Sequence, residues 1–564
     1  MLLVKRKGVK MKNSNKVKII PLGGMREIGK NIDVIEYRDD IIIIDCGLTF
    51  PEEEQLGIDI VIPDFQYLVE NKHRIKALVL THGHEDHIGA IPYLLKKIKV
   101  PIYGTALTIG LLENKLKEHR LGKVDLNVVK AGDNVKLGKM EVEWINVNHS
   151  IPDACALAVK TPLGYIYHSG DFKVDFNPIQ GNVINLQRIA EIGEKGVLAM
   201  IGESTNVLRE GYTLSESKVG ETFKRLFTVF EGRRIIIATF ASNVHRIQQI
   251  INASENHGRK VVLSGRSMLN VMETARKLGY LRAKKDTLID INDMRKYKPG
   301  DLTIITTGSQ GEPMSALTRI AYGEHRKIHL IPDDVVILSA TPIPGNEMDV
   351  TKIINKMIDN GTEVVYEALS EIHVSGHACQ EELKLILDLV RPKYFVPAHG
   401  EIRHLNKHKE IAVSMGTPEE NVFVMNNGDV LEITQKGARI TGQETAGDVL
   451  VDGLGIGDVG NIVLRDRKHL SEDGLIVAVV GITKQGQKLV TGPEIISRGF
   501  VYVRESEDLM VEAKKIVEDI IKSSEGKDLY NRSNLKNNIR NGLRAFLFQK
   551  TKRNPMILPV IMDI

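Results

Sequence analysis

Aromatic residues are scarce in this chain, at 5% with a single tryptophan, and no apolar run approaches the length of a bilayer span. A membrane-spanning helix needs about 20 consecutive apolar residues, so the sequence reads as that of a soluble globular protein. Cysteine is nearly missing too: Cys46, Cys155 and Cys379 are the only three among 564 residues. They show no paired metal-ligand spacing and are too few for a disulfide framework, which points to buried small residues in a reducing compartment. Charge of one sign is also lacking, since 76 Lys and Arg face 72 Asp and Glu for a net +4. That balance neither demands nor excludes a polyanionic partner. The opening MLLVKRKGVKMKNSNKVK is basic but has neither the apolar stretch nor the small-residue cleavage site of a secretory signal. The expected location is therefore cytoplasmic, with residues 1–18 as a solvated basic tail.

What is present is length and pattern. The chain exceeds one typical domain several times over, so two or three cores are expected. From about Val17 to Leu80 the runs VKIIPLGG, NIDVIEY, IIIIDCG and IKALVLT alternate with turn residues and read as strands. A helix is expected at IGAIPYLLKKI, and further strands at VEWINV, ALAVKT, GYIYHSGD and GVLAMIG. Beyond Ser215 the rhythm becomes regular strand and helix: RRIIIATF before SNVHRIQQIINASENH, KVVLSG before SMLNVMETARKLG, then LTIITTG, VVILSA and EVVYEAL. That alternation indicates a parallel, doubly wound α/β unit. The later runs LKLILDLV, KYFVPAHG and VFVMNNGDVLEI belong with the first module, which makes the α/β unit an insertion. The expected division is 19–214 and 373–445 for the first domain and 215–372 for the insertion. A Gly-rich linker over 446–465 and a small α+β module over 466–564 follow.

The segment Thr81-His82-Gly83-His84-Glu85-Asp86-His87-Ile88-Gly89 follows the apolar strand ALVL and opens a helix. A strand end sends His82 and His84 to one side, and the helix start returns Asp86 and His87 to the same pocket, so two adjacent metals can be held. The alternative is a polar loop with satisfied histidines, against which stands the rarity of three histidines with an aspartate at this spacing. HGHEDHIGA is similar to the HxHxDH signature of the metallo-β-lactamase superfamily, which implies an αββα sandwich. That resemblance also calls for three later ligands, and the chain offers His149 in VNHSIPD, Asp171 in HSGDFK and His399 in PAHGE. It implies one metal on His82, His84 and His149, a second on Asp86, His87 and His399, and Asp171 as the bridge. Asp45 would be the supporting acid that orients a ligand. Histidine and aspartate donors accept zinc or manganese, and two such ions about 3.5 to 4 Å apart supply a hydroxide nucleophile near neutral pH.

Lactams, thioesters and phosphodiesters all suit that chemistry, and the insertion decides between them. Its runs ATFASNVHRIQ, SGRSM, TTGSQGEP and HVSGHA resemble the β-CASP nucleases, and with GYTLSESKVG they resemble the ribonuclease J family from about Val17 to the C-terminus. The resemblance implies hydrolysis of RNA phosphodiesters, 5′ to 3′ from monophosphate ends as well as internally, in RNA maturation and decay. Asp86 and Asp171 then act within the metal pocket, Glu203 orients His377, and His377 protonates the departing ribose oxygen. The family's SDSTN reads GESTN here, which places Glu203 where Asp is common. His399 is the RNA-type residue at its position. Ser242, Asn243 and Val244 at a helix start, and the loop His373-Val374-Ser375-Gly376-His377, are expected to hold substrate phosphate. His245, Arg246 and Arg266 are weaker candidates for that surface. A structural calcium is implied on Asp59, the Gly57 carbonyl and Asp452, because oxygen-only donors favour it. Expected partners are single-stranded RNA, further copies of the chain as homodimer or homotetramer, and other ribonucleases or a paralogous subunit. Two other readings leave more unexplained: a small-molecule metallo-hydrolase gives the insertion no purpose, and an inactive RNA-binding scaffold gives the complete ligand set none. A DNA-directed β-CASP nuclease is disfavoured by His399.

Overall fold

A computed structural model of the chain describes residues 15–312, 314–342, 346–366, 372–483, 489–500, 507–524 and 531–564. Most of the basic tail and Pro313 of TTGSQGEP lie outside the described residues. The backbone clusters into two units, the second made of Phe50–Val61 with Val449–Ile564 and the first of the rest.

In the first unit the β-branched run Asp40–Ile44 is buried at every position, as a strand covered on both faces must be. It lies inside an eight-stranded sheet ordered Gly437–Gln443, Asp429–Thr434, Lys16–Gly23, Ile32–Tyr37, Asp40–Ile44, Ile75–Val79, Ile102–Gly104, Leu126–Val128. A six-stranded sheet faces it, ordered Tyr394–Ala398, Val197–Glu203, Gly164–His168, Cys155–Thr161, Met140–Asn146, Asn134–Leu137. Between the sheets Ile42, Ile44 and Val79 meet Trp144, Leu157, Val159 and Ile201. The indole N–H of Trp144 donates to the Leu80 carbonyl at 3.1 Å, so its burial leaves no polar atom unpaired. On the outer face of the second sheet, Met200 and Phe395 pack on Ile189, Ile192, Leu383 and Ile386 of the helices Leu186–Glu194 and Gln380–Val390. The result is an αββα sandwich. It is closed by pairing across the insertion, Val17 opposite Ile433.

The insertion holds six parallel strands in the order Leu288–Ile289, Lys260–Ser264, Leu302–Thr306, Ile235–Ala238, Val335–Leu338, Glu363–Val365. Helices such as Val244–Asn256 and Glu347–Asp359 connect them, which is the doubly wound pattern read from the sequence. Ile235–Ala238 ends where the helix Val244–Asn256 begins, at the strand ends where such folds place ligands.

In the second unit Leu475–Ile482 pairs antiparallel with Leu489–Arg498 and parallel with Met556–Asp563. Val517, Ile521, Leu535 and Leu543 of two long helices cover its Ile476, Ala478 and Val480. The stretch expected as a linker is structured instead: Val451 pairs with Ile456, and Ile58 and Val61 pack on Leu450. Residues 50–61 therefore cluster with this unit rather than with the sequence that flanks them, because their apolar side chains find Leu450. Among the described residues no helix is long and apolar enough to cross a membrane. The three cysteines are buried free thiols.

Candidate metal centre

The strand Ile75–Val79 leads through Thr81 into the one-turn helix Glu85–Ile88, and Asp45 fixes that turn. Asp45 stands at the end of a strand with φ 57°, a left-handed conformation unusual for a side chain that is not glycine. One carboxylate oxygen accepts the Thr81 N–H at 2.8 Å, and the other accepts the Thr81 hydroxyl at 2.6 Å and meets His87 Nδ1 at 2.8 Å. The proton of His87 is thereby held on Nδ1, and Nε2 is turned to the pocket as a ligand. His149 is treated alike, with Nδ1 donating to the Gly376 carbonyl at 2.8 Å. Only glycine permits that approach: a Cβ at Gly376 would lie 2.7 Å from His149 Cε1. His399, another left-handed residue at φ 51°, hydrogen-bonds through Nδ1 to Asp171 at 2.9 Å. Its Nε2 is buried with no hydrogen-bond partner.

Two donor sets result. His84 Nδ1 lies 3.1 Å from both His82 Nε2 and His149 Nε2. His87 Nε2 lies 3.2 Å from Asp171 Oδ2 and 3.5 Å from Asp86 Oδ2, which is 3.4 Å from His399 Nε2. The same Asp171 oxygen is 3.7 Å from His82 Nε2 and 3.8 Å from His149 Nε2, so it borders both sets. A tetrahedron with bonds of 2.0–2.1 Å has edges of about 3.3 Å, which these separations match. Burial, with the neighbouring histidine rings, pushes His82 and His149 well down, and it takes His84 to about 4. Burial also opposes charge on His87 and His399, but Asp171 and Asp86 overcome it and raise both, His399 to about 10. Three neutral nitrogens that face one another, beside a second group in which imidazole nitrogens face carboxylate oxygens, are donor sets that fit divalent cations.

Beside this pair stands a third group. His377 Nδ1 is 2.9 Å from Glu203 Oε2, while Glu203 Oε1 accepts the Phe172 N–H at 2.8 Å. Glu203 is buried at the end of the strand Val197–Glu203, one bond from the segment that carries Asp171. Burial would lower His377, but the Glu203 carboxylate raises it above the ordinary imidazole value.

Four family models match in chain order: "Metallo-beta-lactamase superfamily" at 27–183, "Ribonuclease J, beta-CASP domain" at 232–357, "Zn-dependent metallo-hydrolase RNA specificity domain" at 362–425 and "Ribonuclease J C-terminal domain" at 462–564. Ribonuclease J2 of Bacillus subtilis is 45% identical over 99% of this chain and 100% of its own length. The chain belongs to the ribonuclease J family. Ribonuclease J of Thermus thermophilus is 43% identical over 97% of this chain and 95% of its own. A solved protein of unknown function from Enterococcus faecalis covers 74% of the chain and 100% of its own at TM-score 0.52 and 18% identity, a likeness of fold alone.

Against ribonuclease J expectations the two phosphate loops differ. At the helix start the Asn243 N–H donates to Phe240 and the Val244 N–H to Ser242, while the Asn243 amide oxygen caps the Arg246 N–H. Asn243 and Val244 are buried, so their donors serve the turn, and Ser242 alone of the three is partly exposed. Arg246 is wholly buried, which removes it from the expected surface, whereas His245 is partly exposed and Arg266 is exposed at its helix start. In the other loop His373 and Ser375 are partly exposed, and Val374 and Gly376 are buried against the pocket. The calcium expectation meets a guanidinium: Arg467 donates to Asp452 at 2.5 Å and to the Leu56 carbonyl at 2.9 Å, close against Gly57, while Asp59 accepts the Gly453 N–H.

Sequence reasoning missed Asn31, whose amide lies 3.1 Å from His87 Nε2 and 3.4 Å from Asp86. It also missed Asn206, which donates to Ser375 Oγ at 2.7 Å and to the His377 carbonyl at 3.0 Å. Asn206 closes the GESTN run, which was the available signal.

Proposed function

We propose that this chain hydrolyses RNA phosphodiester bonds, as a 5′ to 3′ exonuclease that prefers monophosphate ends and also as an endonuclease. The observation that carries the reading is His377 hydrogen-bonded to Glu203 beside two groups of metal-donor side chains, three histidines and a second group that includes Asp171, whose carboxylate borders the first. Zinc or manganese ions held by these donors would supply a nucleophilic hydroxide near neutral pH and offset charge on the reacting phosphate. The remaining steps belong to the chain. Asp45 and the Gly376 carbonyl orient His87 and His149, so that each presents Nε2. Asp86 and Asp171 keep their carboxylates ionised, since His87 and His399 outweigh the burial that opposes charge. His377 gives its Nε2 proton to the departing ribose oxygen, and Glu203 offsets the charge of the imidazolium.

The partly exposed face of the 373–377 loop would receive the 5′ phosphate through His373 and the Ser375 hydroxyl. Cytoplasmic location, assembly into homodimers or homotetramers through residues 466–564, and domain limits at 19–214, 215–372 and 373–445 complete the reading. Digestion of one RNA sequence bearing either a 5′ monophosphate or a 5′ triphosphate tests it. Mononucleotides from the first and resistance of the second at its end are expected. Equal rates on both ends would refute the monophosphate preference, and an inert enzyme with its full metal complement would refute the nuclease.

A further inference from the structure

The residue that sequence reasoning placed on a phosphate-binding surface is instead a buried cation of the inserted domain with every guanidinium N–H engaged. Arg246, in the first turn of the helix Val244–Asn256, has no exposed surface. Its Nε and Nη2 grip both oxygens of Glu216 at 2.9 Å each. Nη1 donates to the Ser339 carbonyl at 2.8 Å and to His373 Nδ1 at 2.9 Å, and Nη2 reaches the Val374 carbonyl at 3.2 Å. A guanidinium carries five N–H groups, and all five are used.

Two of those bonds leave the insertion and hold the chain where it returns to the sandwich. The other end of this loop is held from the sandwich side. Asn206 donates to Ser375 Oγ and the His377 carbonyl, Thr213 Oγ donates to that same carbonyl at 2.7 Å, and Glu203 holds the His377 ring. The 373–377 loop is thus pinned at His373 and Val374 by one domain and at Ser375 and His377 by the other.

The pinning has a chemical consequence for His373. Guanidinium only donates, so His373 Nδ1 must accept, and the ring's single proton sits on Nε2. Burial, reinforced by Arg246 and nearby Arg209 and Lys173, keeps the ring neutral by lowering it to about 2.

We infer that Arg246 is a positioning residue for substrate phosphate: it fixes His373 as a neutral Nε2–H donor and sets the height of the loop above the metal pocket. This rests on the ribonuclease reading and assigns Arg246 no contact with RNA. Because His377 is anchored separately, losing Arg246 should weaken substrate binding and spare the chemical step.

The test must separate positioning from stability, since a buried Glu216 left without its partner would destabilise any variant. The paired change Arg246→Met with Glu216→Leu removes both charges together, and Arg246→Lys keeps a charge beside Glu216 while losing the fork. The substrate is a 5′-monophosphorylated single-stranded RNA, assayed with metal-replete enzyme. For a lost hydrogen-bond donor to an anion, KM is expected to rise about tenfold or more in both variants while kcat stays within about threefold. Adding His373→Ala to the paired variant should raise KM no further. Parent-like KM in whichever variant folds, or a fall in kcat at unchanged KM, would overturn the inference. Cleavage by the parent itself tests the ribonuclease reading separately.

Discussion

Gly376→Ala is a one-carbon perturbation whose effect can be worked from the structure. The new methyl would sit 2.7 Å from His149 Cε1, 2.8 Å from its Nδ1 and 2.9 Å from Ser150 Oγ, where ordinary contact is 3.4–4 Å. Gly376 is not among the positive-φ residues, so alanine adds no backbone strain and the clash stands alone. Ring and loop must separate by about 0.7 Å, at an overpacking cost of about 1–3 kcal/mol. That separation pulls His149 Nδ1 away from the Gly376 carbonyl, the bond that keeps Nε2 turned to the metal. Loss of such an orienting partner lowers metal affinity about 10–100-fold, or about 1.4–2.7 kcal/mol, and the two estimates meet. The assay is metal content after equilibration against a graded chelator. One ion per chain, the one held by His82, His84 and His149, should leave at a lower chelator concentration than in the parent, while the ion on Asp86, His87 and His399 stays. A variant that keeps both ions as tightly as the parent and cleaves as fast would refute the reasoning.

Three further outcomes are expected. His377→Ala should slow cleavage by about two to four orders of magnitude with metal content unchanged; loss of metal instead would make His377 a ligand. Glu203 raises the His377 pKa, so the protonated, acid form persists to higher pH and activity falls as pH climbs through that value. Glu203→Gln should therefore move the alkaline limb of the single-turnover rate to lower pH by about one unit or more, and an unmoved limb would exclude His377 as the acid. Burial holds His408 neutral, lowered to about 3, beside Ser204 Oγ at 3.0 Å. The unfolded chain takes up that proton below about 6.5 while the folded one does not, so stability is full above that value and falls as pH drops toward 3. His408→Gln should lose about 2 kcal/mol less than the parent between pH 7 and pH 5 in urea unfolding, and equal losses would show that His408 is not the acid-sensitive group.

The αββα frame and the doubly wound insertion are legible because their signals are local: IIIID at a strand end, HGHEDH within six positions, strand and helix in strict alternation. His149, Asp171 and His399 are individually ordinary, and the family's order singles them out. What stays hidden depends on burial and on distant partners. Arg246 follows a helix cap in ASNVHR, as an anion-binding residue would, and nothing local reveals that Glu216 and the 373–374 backbone enclose it. Asp452 is an acidic loop-end residue in the sequence, and its pairing with Arg467, fifteen positions on, shows only in the structure. Asn31 lies far from every motif and reaches the pocket only through the sheet. Residues 50–61 follow Leu450, a preference that no periodicity in a twelve-residue loop could show.

The insertion also sets a clock. His149 and His399 are separated by 250 positions, and the strand Lys16–Gly23 waits for its partner Asp429–Thr434 until still later. A ribosome adding about 5–20 residues per second needs about 12–50 s to cross the interval between those histidines. Throughout that time the nascent chain displays His82, His84 and His149 but lacks the last residue of the second set, and for most of it lacks His377 as well. For a ribonuclease made on an RNA template, the delay is protective: the blade is fitted only after most of the message has already passed through the ribosome.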